Sequence, residues 1–589
     1  PCACYARSYP GGSSRRPTDD AEPPQGGDVT TETFDRPAIH RFADRAWDEF
    51  LEQDPVWATV QGDDRWLERL DVPSPAGRAA FMAMVDRWSE ELDGLAGDEL
   101  GVEDQVTVGL MRAVIARFRG ADELRLWEMD ALDQLNGPQT IPGELARFHR
   151  TDTPERFEAL LTRLAAYPGW MAAHQANVEE GVAAGRTAPA EVVERCIDQT
   201  RRMVETAAES SPLLIANEQL PQAQRAALLE AVERHVQPAL AAWLEMLEDY
   251  AAHVRPGPGV CHLPDGEAVY RHHILAYTNL PEDPRAVHAY GLARLDEIEA
   301  AEAPLAAELG HESVAELREF LDQDPANHVE DPADLIKAAE AWITRAEAEA
   351  PKWFGDPPAQ HCVVQAVEPH VERDAPAAFY YPPAEDGSRP GTYFFNTYDP
   401  PSRPLHQAVP MTYHEAVPGH HFQLTAEREL EHLPAFRKHG ALLACGAYVE
   451  GWALYAERLA AEMGLYHDAL ERFGAWESEA HRAARLVVDT GLHAFGWTRE
   501  QSIEVLVKRA GLARLDAEIE TDRYIAWPGQ ALSYMIGQRE ILAARAELEA
   551  RDGDRFDHMA FHDEVIGHGS LPLDVMRAQL PGWVKPKGG

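Results

Sequence analysis

The stretch MTYHEAVPGHHFQ (411–423) holds the side chains in this chain best suited to breaking a bond: His414 and Glu415 near its start, His420 and His421 near its end. Zinc-binding helices often carry two histidines four residues apart. The pair shares one face and holds the ion, and a glutamate beside the first histidine activates a bound water. Here the fourth residue after His414 is Pro418, which has no ligand atom. On an unbroken helix His420 would lie about 120° around from His414. His421 would share the face but stand about 10.5 Å along the axis. Zn–N bonds span only ~2.0–2.1 Å, so a regular helix does not build the site. Pro418-Gly419 offers another path. Proline lacks the N–H that would bond the carbonyl of His414, and glycine adopts backbone angles closed to other residues. The expectation is a bulge inside a helix that loops out two residues and brings His420 to the vacant ligand position. The plain alternative is a loop with three ordinary histidines.

A third ligand is expected from a carboxylate on a later helix. Glu450 and Glu457 stand seven apart, on one helical face. Glu450 lies in the nearly uncharged run GALLACGAYVEGWALYA, where a buried carboxylate needs a partner. Glu457 precedes Arg458 and reads as solvated. The expected metal set is therefore His414, His420 and Glu450 around Zn2+, with Glu415 as general base toward the metal-bound water. His421 either supports the site from beside it or replaces His420 as the ligand. Peptide hydrolysis develops negative charge on the carbonyl oxygen, and Tyr534, His493 and Tyr524 are the candidate donors. Each tyrosine is equally a packing residue. Arg485, Arg523 and Arg539 could grip a substrate carboxylate, or pair with a nearby acid such as Asp489 or Asp522. The segment TYFFNTYDP (392–400) could offer an edge strand to a peptide, with Asn396 and Tyr398 touching it, or could simply cover core.

These residues need a scaffold, and the chain predicts a helical one. IHRFADRAWDEFLEQD places Ile39, Phe42, Ala46, Trp47 and Phe50 on one stripe, and residues 157–185, 221–254 and 281–310 repeat that periodicity. Residues 351–400 break it with prolines, aromatics and β-branched residues. Val363–Val367 and Thr392–Asn396 read as strands, with turns at Asp386-Gly387 and Pro390-Gly391. Residues 1–35 have the Pro/Gly/Ser-rich composition of a disordered leader. From 36 to 589 the expectation is one mostly α domain, a large helical bundle with a small β-sheet at about 360–400, just before the metal-binding helix. With 26% charged and 45% hydrophobic residues, the composition is that of a globular protein. The 54 basic residues face 99 acidic ones, and the net charge of −45 disfavours nucleic acid and anionic membranes. No run of about 18 apolar residues predicts a membrane span. Cys2, Cys4, Cys196, Cys261, Cys362 and Cys445 are scattered and form no C-x-x-C pairs. A reducing, cytoplasmic setting is expected, with an export segment upstream of Pro1 as the alternative.

Four segments in order, HEAVPGHHFQ (414–423), YVEGWALYAE (448–457), RLVVDTGLHAFGW (485–497) and GQALSYMIGQ (529–538), resemble the bacterial domain of unknown function 885 family. The resemblance covers most of residues 40–580. That family is similar in turn to helical zinc metallopeptidases, including a thermostable carboxypeptidase family whose motif reads H-E-T-G-H. Aligning the Gly-His pairs puts His420 on that family's second ligand. The resemblance implies a helical fold with a deep cleft and a metallopeptidase-like site of the gluzincin kind, and it favours Tyr534 among the candidate donors. The expected function is a zinc-dependent carboxypeptidase or oligopeptidase acting on a peptide or peptide-like small molecule, with a homodimer as candidate assembly. Two alternatives stand beside it: hydrolysis of a non-peptide amide or ester, and peptide binding without catalysis.

Overall fold

Apolar residues recurring every three or four positions give each helix one stripe to bury, and the chain folds by packing those stripes together. The computed structural model describes residues 37–97, 100–367, 376–383 and 389–588. The leader over 1–35, with Cys2 and Cys4, and the turn at Asp386-Gly387 lie outside the described residues. The helices that matter below are, in chain order, α1 (Ala38–Gln53), α2 (Pro75–Leu95), α3 (Val102–Glu123), α4 (Pro154–Ala183) and α5 (Pro284–Glu308). After the sheet come α6 (Leu405–Glu415), α7 (His420–Glu429), α8 (Gly446–Glu462), α9 (Ala469–His493), α10 (Arg514–Ala526) and α11 (Ser533–Asp552). The architecture is mostly α with one small sheet, as the sequence predicts.

α1 buries Ile39, Phe42, Ala46, Trp47 and Phe50, the stripe read from the sequence. Trp47 meets Phe436 edge to face at 5.8 Å, so this first helix closes over the segment that follows α7. One cluster of buried apolar side chains runs from Ile39 to Val584. In the second half of the chain α5 lies along α9, and α8 along α11. The α8–α11 crossing is backbone against backbone. A Cβ on Gly451 would come within 2.4 Å of Gly537 Cα, so no larger residue permits that approach. This places the face of α8 that carries Glu450 beside the first turn of α11, which carries Tyr534.

The sheet has strand order β1 (Val363–Ala366), β3 (Thr392–Phe395), β2 (Ala378–Tyr381). β3 pairs parallel with β1 and antiparallel with β2. It is therefore the central strand, and its residues are all buried. The expectation of an edge strand at TYFFNTYDP is overturned: both sides of its backbone are already paired, so no peptide can add there. One face of the sheet stacks Phe379 on Phe394 at 5.0 Å, and the other turns Tyr380 and Tyr393 into the main core. No helix among the described residues is long and apolar enough to cross a membrane. Cys196, Cys261, Cys362 and Cys445 are free thiols.

Candidate metal centre

α6 stops at Glu415, and α7 begins at His420. The interruption is larger than the bulge expected from the sequence. The helical ladder ends, and a bond from Phe422 N–H to Ala416 O at 3.3 Å spans the gap while Gln423 N–H reaches Gly419 O. Pro418 has no N–H to extend the ladder. Gly419 is pressed onto the end of α6, where a Cβ would stand 1.9 Å from His414 O and 2.4 Å from Tyr413 O. Trp452 on α8 donates its indole N–H to Pro418 O at 2.9 Å and ties the break to the neighbouring helix. The break brings the imidazoles of His414 and His420 to 4.8 Å between centroids, with planes at 87°.

A side chain at 419 must push the two histidines apart. Gly419→Ala is expected to cost about 1–3 kcal/mol of stability, the range for forcing atoms into filled space. Urea denaturation of the two proteins checks this, and an unchanged midpoint would mean that the break does not depend on glycine.

Glu450 enters this corner from α8. Its Oε2 lies 3.5 Å from His414 Nε2 and 3.3 Å from His420 Nε2. In a tetrahedral site with bonds of ~2.0–2.1 Å, neighbouring ligand atoms stand about 3.3–3.4 Å apart. The Glu450 oxygen thus stands at zinc-ligand spacing from each imidazole nitrogen, and the trio offers N,N,O chemistry. All three side chains are buried.

Glu457, which the sequence suggested is solvated, is buried two turns beyond Glu450. Its Oε1 accepts a hydrogen bond from His414 Nδ1–H at 2.8 Å. With Nδ1–H spent on Glu457, Nε2 is the nitrogen that faces Glu450, and it is the one that carries the lone pair once the ring loses its second proton. A carboxylate behind a metal-binding histidine is the usual way such a ring is held in orientation. The seven-residue spacing from Glu450 was the available signal, and the adjacent Arg458 concealed it.

The two nearest carboxylates differ in electrostatic state. Burial works to raise the pKa of Glu450, but His414 and His420 together hold it well below the usual carboxylate range. Burial raises Glu415, and the two histidines do not fully offset it. Glu415 offers a donor atom within 4.8 Å of one on each histidine, and its Oε2 is buried without a hydrogen-bond partner among the described residues. Glu450 is therefore the ionised carboxylate, and Glu415 the one with an idle oxygen. Burial tends to lower His414, but Glu450 and Glu457 lift it to about 9.

Tyr534 lies beside this corner with its ring nearly parallel to that of His414, at 6.2 Å. Its oxygen accepts a hydrogen bond from Arg523 at 3.2 Å, and the Arg485 guanidinium sits 4.4 Å from the centre of its ring. Arg485 also donates to Tyr524 Oη at 2.8 Å and to Glu520 at 3.0 Å, and Arg523 pairs with Glu520 as well. Burial drives His481, which faces the same group, down to about 3, so it is neutral. Two guanidinium groups thus share one carboxylate, leaving one surplus positive charge next to Tyr534. Arg485 Nη1 is buried and makes no hydrogen bond among the described residues. Glu520 escaped the sequence reading because only the fold brings α9, α10 and α11 together. Asp489 and Asp522, the acids expected as partners for these arginines, bond instead to Tyr270 and to Arg195 and Arg499.

Four residues expected at the site serve elsewhere. His421 donates from Nε2 to Gln360 O at 2.9 Å and accepts from Tyr380 O–H at 3.0 Å, so both ring nitrogens are committed, one to the segment before β1 and one to β2. His493 accepts from Val260 N–H through Nδ1 and donates through Nε2 to Tyr524 O, and burial lowers it to about 3. It ties the turn at Val260 to α10 rather than facing an oxyanion. Arg539 pairs with Glu282 and Glu540. Asn396 is fully buried, with its side chain turned onto Pro376 O and Tyr398 N–H. Tyr524 does stand in the network beside Tyr534, but it is buried and its O–H is spent on Glu520.

The profile of a bacterial protein family of unknown function, DUF885, matches residues 55–580. The crystal structure of a candidate lipoprotein from Colwellia psychrerythraea superposes with a TM-score of 0.86 at 26% identity, covering 93% of this chain and 98% of that one. A second candidate lipoprotein of unknown function, from Shewanella oneidensis, matches with a TM-score of 0.72 at 19% identity, covering 92% and 99%, and shows the fold alone. No curated protein matches the sequence.

Proposed function

The chain belongs to the DUF885 family, and from the corner formed by α6, α7 and α8 we propose that it is a metal-dependent hydrolase, a zinc peptidase acting on short peptides. The observation that carries the reading is the shared carboxylate oxygen of Glu450, at 3.5 and 3.3 Å from the Nε2 atoms of His414 and His420. Those three residues would hold the ion, and Glu457 would orient His414. A bound zinc supplies Lewis acidity, lowering the pKa of a water and polarising the carbonyl under attack. Glu415 then takes the water's proton on its idle oxygen and returns it to the leaving amine. Tyr534, whose oxygen already accepts from Arg523, has its own O–H available for the carbonyl oxygen as charge develops there.

The surplus positive charge of the Arg485–Arg523–Glu520 group favours a substrate with a free carboxylate, and so carboxypeptidase action. N-blocked peptides with free or amidated C-termini test this in zinc-loaded protein. The free acids should be hydrolysed, the amides at least about tenfold more slowly, for the loss of one charge-assisted contact. A chelator should stop both reactions. Equal rates would remove the carboxylate role, and no cleavage of either series would shift the reading to a non-peptide amide or ester. The cytoplasmic expectation and the lipoprotein names of the two structural neighbours point to different locations, which fractionation of the native cells decides.

Uptake of the ion should depend on pH. Without metal, His414 is protonated below about 9, and zinc must displace that proton. Apparent zinc affinity should therefore rise by roughly tenfold per pH unit between pH 6 and 8, one proton leaving per ion bound. Competition with a chromophoric chelator measures it, and a flat profile would contradict the buried imidazolium.

A further inference from the structure

A cavity lies among the first helices, away from the candidate metal centre. It encloses about 140 Å³ between α1, α2, α3, α4 and the loop around residues 127–138. A buried water needs roughly 10–15 Å³ on such a measure, so the space suits a ligand of about ten non-hydrogen atoms rather than one or two waters. Phe50, Phe81, Phe118, Trp127 and Trp170 give it an aromatic lining. None of its lining residues belongs to α6, α7 or α8.

The polar groups in this lining are oddly uncompensated. Arg78 stacks on Trp127 at 3.6 Å and donates to Asn177 Oδ1 and to Pro73 O. Among the described residues it makes no ion pair, although Asp122 and Asp130 line the same cavity. Those two carboxylates make no ion pair among the described residues either. Burial pushes Asp130 up to about 6, and positive charge around it, Arg117 included, only partly opposes the rise. Asp54 and Asp71 also line the cavity, but their oxygens accept from Trp57 N–H at 3.0 Å and from the Trp170 indole at 2.8 Å. The fold thus presents a cation and two carboxylates to one aromatic space without joining them.

We propose that this cavity binds a free amino acid with an aromatic or large apolar side chain. Its carboxylate meets Arg78, its ammonium meets Asp122 and Asp130, and its side chain lies against the wall formed by Phe50, Phe81 and Phe118. A free amino acid of this kind is also what a carboxypeptidase releases, but the assignment stands on the cavity alone and does not need the hydrolase reading.

Titration calorimetry on the full chain after chelation tests it, since the metal centre then takes no part. L-Phenylalanine should bind. N-acetylphenylalanine, which lacks the ammonium, and phenylalaninamide and phenethylamine, which lack the carboxylate, should each bind at least about tenfold more weakly. Arg78→Gln should erase the preference over phenylalaninamide, and Asp130→Asn should weaken the preference over N-acetylphenylalanine. The ligand series on the unaltered protein stands even if a variant folds poorly. No heat of binding for phenylalanine at millimolar concentration, or equal affinity for phenylalanine and phenethylamine, overturns the proposal.

Discussion

Glu415→Gln should abolish most turnover while the protein keeps its metal. Glutamine preserves the volume of the side chain and one carbonyl oxygen, but it cannot accept the proton of an attacking water at neutral pH. Positioned acid–base catalysis contributes about 10²–10⁴-fold, and a loss in that range is expected in kcat. The structure gives two reasons for expecting this at Glu415 and not at Glu450. Glu450 is drawn into the ionised state by two histidines at 3.5 and 3.3 Å, whereas burial holds the Glu415 carboxyl above its usual range. Moreover, Glu415 Oε2 is buried and engages no hydrogen-bond donor among the described residues, so it is free to turn to a water. Glu450→Gln should fail differently, losing zinc along with activity because a ligand charge has gone. Steady-state kinetics together with metal analysis separates the two variants. Wild-type turnover in Glu415→Gln would strip that residue of the base role, and loss of zinc from the same variant would make it a ligand.

How far the sequence led depends on which residues lie close in the chain. Helices such as α1 and α4 follow from apolar spacing alone, because a stripe of that period has only one way to be buried. The meeting of His414 with His420 was legible for a similar reason: a proline without an N–H and a glycine stand between them, and both effects are local. Even there the extent was misjudged, since the helix ends outright and is bridged by a single bond to Ala416 O. Glu457 was misread because exposure is set by what packs over a helix, and α6 and α9 lie on either side of that face. His421, His493 and Asn396 were offered as site residues on their chemistry. In each case the nearest unsatisfied backbone groups, on Gln360, Tyr524 and Pro376, claimed the side chain instead. Local sequence does not reveal which distant carbonyl will need a donor. The cluster of Arg485, Glu520, Arg523 and Tyr534 joins three helices, and only the fold could assemble it.

His414→Ala should lose the metal and, in the metal-free protein, also destabilise the fold. His414 touches both buried carboxylates, through Nε2 to Glu450 and Nδ1 to Glu457. Removing it leaves Glu450 with His420 at 3.3 Å and Glu457 with Arg482 at 3.9 Å as their remaining ion-pair partners among those described, and breaking a buried pair from one side costs about 3–5 kcal/mol. The shift of this histidine from 6.5 to about 9 gives a consistent figure, about 3 kcal/mol at 1.36 kcal/mol per unit. The sign follows from linkage. A group whose pKa is raised on folding contributes its full stability below the unfolded value of about 6.5, and loses it as pH climbs through about 9. Glu450, whose folded pKa is depressed, contributes above its unfolded value near 4.5 and loses that contribution as pH falls. Metal-free wild type and variant should thus differ most between about pH 5 and 7, and converge toward pH 10. Urea denaturation across that range, run beside metal analysis, measures both effects. Full zinc content in the variant would take His414 out of the ligand set. A stability difference that did not narrow above pH 9 would show that the histidine stabilises by packing alone and holds no charge between the two acids.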